Sequence, residues 1–274
     1  MVIDGHAHSS GEFWSAESVV RILDELEVDK VVLSPGPINK PSAFPLPDLS
    51  RYFRTAGLDY LGQILLRMYG RAVLKLFPLS NGNAYVASLA RKSPARILQC
   101  HWVDPNDDRM MAELDDRFRA WRFKMLKVHQ CLSVFESDSP GMHALARFAA
   151  EKNMPFFVHS YLRRDIEGLV SFMAGHPETT FIVAHLLGIE VYLEADPASL
   201  KNVYFDISTP SLVPESHVVK AVERFGAGRV LMGSDTPFGV HALKKCIERV
   251  RGLNIPEDDK RLILGENLRR LLGL

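Results

Sequence analysis

The alternation of short apolar runs with helical segments predicts an α/β protein, a closed (β/α)8 barrel of parallel strands. Three observations carry that expectation. The chain has 274 residues, close to the ~250 typical of such a barrel. Eight runs, Val2–His8, Lys30–Ser34, Arg96–Val103, Phe123–His129, Pro155–His159, Thr180–His185, Val203–Ser208 and Arg229–Asp235, are mostly rich in Val, Ile, Leu and Phe. That composition fits strands buried on both faces. Helical stretches separate most of the runs, among them Pro140–Lys152, Asp165–Ala174, Glu215–Phe225 and Val240–Val250. Parallel neighbours need such crossovers. An open doubly wound sheet is the alternative, but eight strands in this length suit closure better.

The segment after the second strand breaks the rhythm. Residues 35–79 carry Pro35, Pro37, Pro41, Pro45, Pro47 and Pro78 and a helical pattern over Leu58–Leu76. This is too long for a simple βα connection. It reads as an insertion on the C-terminal rim that borders the active site, or as a contact between copies in a homodimer, because Leu61, Ile64, Leu65, Met68 and Tyr69 need a packing partner. Pro256–Leu271 reads as a last amphipathic helix. No internal repeat appears, and residues 1–274 are expected to form one domain.

Composition narrows the function. The chain is 47% hydrophobic and 24% charged, with 33 basic and 33 acidic residues. This balance exerts no pull toward nucleic acid or an anionic membrane. Cys100, Cys131 and Cys246 show no C-x-x-C spacing, which argues against a disulfide framework. The opening residues lack a signal-peptide pattern, and no apolar run reaches the ~18 residues of a membrane span. The expectation is a soluble, cytoplasmic protein acting on a small molecule.

The chemistry sits at the strand ends. In a strand, alternate side chains share a face. His6 and His8 therefore point the same way, with Val2 and Asp4. The same alternation aligns Phe123, Met125, Lys127 and His129; Pro155, Phe157 and His159; Phe181, Val183 and His185; and Arg229, Leu231, Gly233 and Asp235. A lone H-x-H is a weak metal signal. Polar groups closing several otherwise apolar parallel strands are a stronger one, since those ends meet on the rim where barrel active sites form. Imidazole and carboxylate together suit a divalent ion.

These motifs resemble those of the amidohydrolase superfamily. Val-Ile-Asp-Gly-His-Ala-His is similar to its opening motif, Phe-Phe-Val-His159 to its strand-five ligand, Phe-Ile-Val-Ala-His185 to its strand-six histidine, and Gly-Ser-Asp235-Thr-Pro-Phe to its strand-eight aspartate. Lys127-Val128-His129 and Ile-Leu-Gly-Glu-Asn267 resemble features of the amidohydrolase-related branch, which holds hydrolases and non-oxidative decarboxylases on a TIM barrel. The resemblance covers most of the chain apart from the insertion. It implies that His6, His8, His159 and Asp235 hold the metal. Asp235 also handles a proton, and His185 acts on the substrate or binds a second ion. Zinc is the expected ion.

Lys127 and His129 are expected to contact the substrate, with a bridging carbamylated Lys127 as the alternative. Arg163 reaches for an anionic group or is a surface arginine. His101 faces the pocket or is an ordinary buried imidazole. Asp206 reads as structural, and Asp4 as steadying a ligand. The leading function is metal-dependent hydrolysis of a C–O or C–N bond in a small ester, lactone or amide. Non-oxidative decarboxylation of a small carboxylic acid is the alternative, and a non-catalytic ligand-binding barrel is the third reading.

Overall fold

The computed structural model describes residues 1–36, 60–65, 67–68, 79–239 and 241–274. Its eight strands are β1 Ile3–His8, β2 Lys30–Ser34, β3 Ile97–Trp102, β4 Met125–His129, β5 Phe156–His159, β6 Phe181–Val183, β7 Val203–Asp206 and β8 Val230–Leu231. They form one sheet in chain order, each pairing with the next in parallel. The chain beyond β8 returns to β1. Gly5 N donates to Met232 O at 3.0 Å, Ser234 N to His6 O at 3.1 Å and His8 N to Thr236 O at 2.7 Å. An isolated parallel bridge joins Ala7 and Thr236. These bonds close the barrel.

Helices follow most strands and cover the outside: α1 Ala16–Glu25, α2 Leu79–Lys92, α3 Asp108–Ala112, α4 Leu114–Trp121, α5 Pro140–Glu151, α6 Arg163–Ala174, α7 Ile189–Glu194, α8 Glu215–Phe225 and α9 Ala242–Gly252. Local chemistry starts several of them. Ser15 Oγ accepts from Ser18 N at the head of α1. Ser139 caps α5, with Pro140 just inside. Among the described residues no helix is long and apolar enough to cross a membrane.

Two apolar layers follow from the alternation. Ile3, Val32, Leu98, Cys100, Met125, Phe157, Ile182 and Leu231 fill the lumen, with Leu268 and Leu272 packed against them. The last stretch is not one continuous helix. α10 Glu257–Arg261 and α11 Asn267–Leu271 flank a turn at Leu262–Glu266. A Cβ on Gly265 would lie 2.5 Å from Met1 O and 2.9 Å from Ile3 N. Only glycine lets this turn approach the start of β1.

The strand faces differ from simple alternation in two places. Ile3 packs in the lumen, while Ala7 belongs to the outer layer. The register between β1 and β2 shifts between Asp4 and Ala7. An extra residue in a strand reverses the alternation beyond it. The bulge thus lets Ile3 and both His6 and His8 face inward, and Asp4 does not share their face. In β6, Phe181 and Val183 point outward, and Ile182 and Ala184 inward. His185 reaches the mouth through left-handed backbone at φ 57°, followed by Leu186 at φ 49°.

His101 lies on the outer side of β3, stacked on Phe123 at 4.5 Å and beside Trp121 at 5.6 Å. The pocket-facing reading is therefore excluded. Burial, with Arg117 nearby, pushes its pKa down to about 3. Between that value and the ordinary ~6.5, the unfolded chain binds a proton that the folded chain refuses. The stability associated with neutral His101 is present above ~6.5 and is lost as pH falls toward 3, by about 1.4 kcal/mol per unit. His101→Phe should make the acid limb of the unfolding free energy shallower by about one proton. Urea melts between pH 7 and 4 test this, and an unchanged slope would contradict it.

Candidate active site

The polar ends of β1, β4, β5, β7 and β8, joined by His185, converge inside the C-terminal mouth. Asp235 Oδ1 lies 3.4 Å from His6 Nε2 and 3.3 Å from His8 Nε2. Asp235 is itself in left-handed backbone at φ 58°, and its N–H donates to His6 O at 2.6 Å. The β1–β8 seam therefore sets both sides of the cluster. A Cβ on Gly233 would sit 2.8 Å from His6 Cβ and 2.6 Å from Asp206 Oδ1. The glycine before Ser234 leaves room for the His6 ring.

The histidines are oriented from behind. His8 Nδ1 lies 2.7 Å from Pro35 O, and His159 Nδ1 lies 2.9 Å from Ser160 O. A carbonyl only accepts, so both Nδ1 atoms carry the proton. His6 Nδ1 is 3.2 Å from Asp206 Oδ2 and 3.1 Å from Ser208 Oγ. His185 Nδ1 is 2.8 Å from Ser208 Oγ and 3.1 Å from Thr209 Oγ1. Ser208 gives its own proton to Asp206, and Thr209 gives its proton to Asp235 Oδ2. Both hydroxyls are left to accept from His185. All four rings thus turn an Nε2 lone pair away from these partners.

Burial keeps His6, His8, His129 and His159 neutral. Burial first, then Lys127, pushes the His6 pKa down to about 3 and lowers that of His8. Burial first, then the neighbouring imidazoles and Lys127, hold His129 and His159 well below their ordinary value. Burial alone would raise Asp235, but the facing imidazoles His6, His185 and His8 outweigh it and hold the carboxyl low. Asp206 shows the same balance, lowered chiefly by His6.

The fully buried Lys127 complicates this pattern. Its Nζ lies 2.8 Å from His6 Nε2 and 3.3 Å from His8 Nε2. The ammonium donates to the lone pairs that an ion would use. Burial lowers its pKa.

The donor set fits a divalent ion. Ligands ~2.0–2.1 Å from a tetrahedral centre stand about 3.3–3.4 Å apart. This is the spacing of Asp235 Oδ1 from the two Nε2 atoms. His6, His185 and Asp235 also offer donors within 4.8 Å of one another. His129, Cys131 and His159 meet the same distance test, yet their chemistry is poor. The two rings stack at 3.7 Å and 11°, so their in-plane lone pairs run side by side instead of converging. The Cys131 thiol is pushed up to about 12 by burial and donates to Gln63.

The structure therefore brings His6, His8, Asp235, His185 and Lys127 into direct contact. His129 and His159 form the adjoining wall, with His159 4.9 Å from His185 between ring centroids. Arg163 is not gathered in. It is held on the surface by Glu167 and Glu194, with Glu190 at 3.9 Å.

Asp206 was read only as structural, and Ser208, Thr209 and Trp102 went unread in the sequence. Asp206 faces the lumen and orients His6; as an acid closing an apolar strand, it carried the same signal as Asp235. Ser208 and Thr209 follow it directly. Trp102 closes β3 in register with the lumen residues Leu98 and Cys100 and stacks on His129 at 5.4 Å. Most of the insertion lies outside the described residues. Its residues 60–65 and 67–68 are helical and border the mouth: Tyr60 donates to Glu190, and Arg67 to Gln130 O.

Comparison with solved structures agrees with this architecture. A 5-carboxyvanillate decarboxylase from Sphingomonas paucimobilis superposes with a TM-score of 0.69 at 12% identity, covering 100% of this chain and 99% of that one. A dihydroxybenzoic acid decarboxylase from Polaromonas sp. JS666, with bound manganese and 2-nitroresorcinol, gives 0.68 at 15%, covering 100% and 97%. A probable 2-pyrone-4,6-dicarboxylic acid hydrolase from Acinetobacter baumannii gives 0.69 at 14%, covering 100% and 99%. No curated protein matches in sequence. The amidohydrolase family model matches residues 3–274. The chain therefore belongs to the amidohydrolase family and is an enzyme of its metal-dependent hydrolase and decarboxylase class.

Proposed function

We propose that the enzyme hydrolyses a C–O or C–N bond in a small ester, lactone or amide, with one divalent ion held by His6, His8, His159 and Asp235. The observation that carries this reading is the approach of two Nε2 lone pairs to one carboxylate oxygen, each ring fixed through its Nδ1–H. We take the ion to be zinc, from its nitrogen and oxygen donors; the Polaromonas structure holds manganese. When bound, such an ion makes water nucleophilic at neutral pH and polarises a carbonyl.

The chain's own groups supply the proton handling. Asp235 is held ionised, with Oδ2 steadied by Thr209 at 2.8 Å. It takes the proton from the attacking water and returns it to the leaving group. His185, held through Nδ1 by Ser208 and Thr209, is the second proton-handling group. Lys127 places a positive charge where the carbonyl oxygen gains negative charge. His129 lines the substrate wall. Arg163, ion-paired on the surface, has no part in this reading.

A second reading, decarboxylation, is favoured by Lys127 itself. A buried ammonium can pair with a substrate carboxylate and protonate the carbon that loses it. A panel of lactones, amides and hydroxybenzoates on metal-loaded protein separates the two, by acid release or by carbon dioxide.

Two variants test the site. His8→Ala should lose most of the bound metal and activity by elemental analysis and assay; a fully loaded, active variant would refute the ligand assignment. Lys127→Met should bind the divalent ion at least about tenfold more tightly, because a repelling cation is removed. A variant that instead loses the ion would make Lys127, in modified form, a ligand.

A further inference from the structure

The polar groups of the mouth fall into two halves. On the β6–β8 side, His185, Ser208, Thr209, Asp206 and Asp235 bond to one another. On the β3–β5 side, the buried atoms Trp102 Nε1, His129 Nδ1 and Arg67 Nε have no hydrogen-bond partner among the described residues. Trp102 and Arg67 are donors only.

Both side chains are held in place. The Trp102 backbone is bound twice by Asn83, whose Nδ2 donates to Trp102 O at 2.7 Å and whose Oδ1 accepts from Trp102 N at 3.0 Å. Its ring lies at 13° to His129 and has Lys127 Nζ 5.2 Å from its centre. It is 2% exposed. Arg67, on the inward face of the insertion helix, lies over the Tyr161 ring at 3.3 Å. Its Nη2 donates to the carbonyl of Gln130, the residue after His129, at 2.8 Å. A buried donor without an acceptor costs about 1–3 kcal/mol. One such donor is on the ring stacked on His129 and the other on the side chain bonded to the carbonyl of the next residue, Gln130, and the charges of Arg67 and Lys127 select an anionic acceptor.

We propose that this half of the mouth is a carboxylate subsite, in which the Trp102 indole N–H and the Arg67 Nε–H donate to a carboxylate carried by the substrate. The inference rests on the proposed function for the chemistry on the opposite wall. It makes the substrate a carbonyl compound that also bears a carboxylate, and it makes the insertion helix part of substrate selection.

Calorimetric titration tests it with benzoate and its neutral isostere benzamide, on full-length protein of measured metal content. Benzoate should bind at least about tenfold more tightly than benzamide. Trp102→Phe keeps the stacking ring and loses the N–H; Arg67→Met loses the guanidinium. Each should weaken benzoate about tenfold and leave both benzamide affinity and metal content unchanged. Equal binding of the two probes by the wild type would overturn the proposal, as would wild-type benzoate affinity in either variant. If one variant fails to fold, the other and the wild-type ratio decide. Metal content separates this result from the catalytic reading: a loaded protein blind to the carboxylate sinks only the subsite, and a metal-free protein that still needs Trp102 sinks only the metal chemistry.

Discussion

The site depends on one seam, where the first strand meets the chain leaving the last. Asp4 accepts from Ser234 N at 2.8 Å and from Ser234 Oγ at 2.6 Å, and burial raises its own pKa to about 7. One residue further along, the Asp235 N–H binds the His6 carbonyl. Groups some 230 positions apart in sequence are thereby fixed within a hydrogen bond of each other. The bulge in β1 belongs to the same seam, since without it His6 and His8 would face the helices. The bonds that close the barrel also hold the cluster, so a change that opens the seam separates His6 from Asp235.

Burial then decides how the cluster behaves. Taking imidazoles out of water disfavours their charged form, so the rings stay neutral. Backbone carbonyls, Asp206 and Ser208 settle which nitrogen carries the proton. The remaining lone pairs are free for a cation, and in this structure Lys127 supplies one. Asp235 is held ionised in the same buried environment, with Thr209 donating to its Oδ2 and the His6, His185 and His8 rings offsetting the effect of burial. A polar cluster this deep is tolerable only when nearly every atom has a partner. Among the described residues, Trp102 Nε1, His129 Nδ1 and Arg67 Nε lack one on the β3–β5 side of the mouth, which is why that wall reads as a place for substrate.

Much of this was legible in the residues. Lys30–Ser34 and Glu215–Phe225 have the bounds the pattern predicts, because apolar runs and amphipathic spacing are local properties. His6, His8, His129, His159 and Asp235 lie at the mouth because strand ends in a parallel barrel share a rim. What escaped is non-local. An inserted residue in β1 leaves no mark on an H-x-H spacing. The left-handed turn at His185 replaces the alternation that seemed to align it with Val183. Asp206 looked structural because nothing in its neighbourhood reveals a histidine from the other end of the chain. Arg163 looked available because its carboxylate partners Glu190 and Glu194 lie in the following βα unit. Trp102 could be assigned to the lumen from Leu98 and Cys100, but its idle N–H appears only in three dimensions.

The most direct test of the central claim is an anomalous-difference map at the metal absorption edge, from crystals of protein purified without added metal. The account predicts one peak enclosed by His6 Nε2, His8 Nε2, His159 Nε2 and an oxygen of Asp235, with Lys127 Nζ moved off the histidine lone pairs. Catalytically active crystals with Lys127 still seated on both rings and no peak would contradict it.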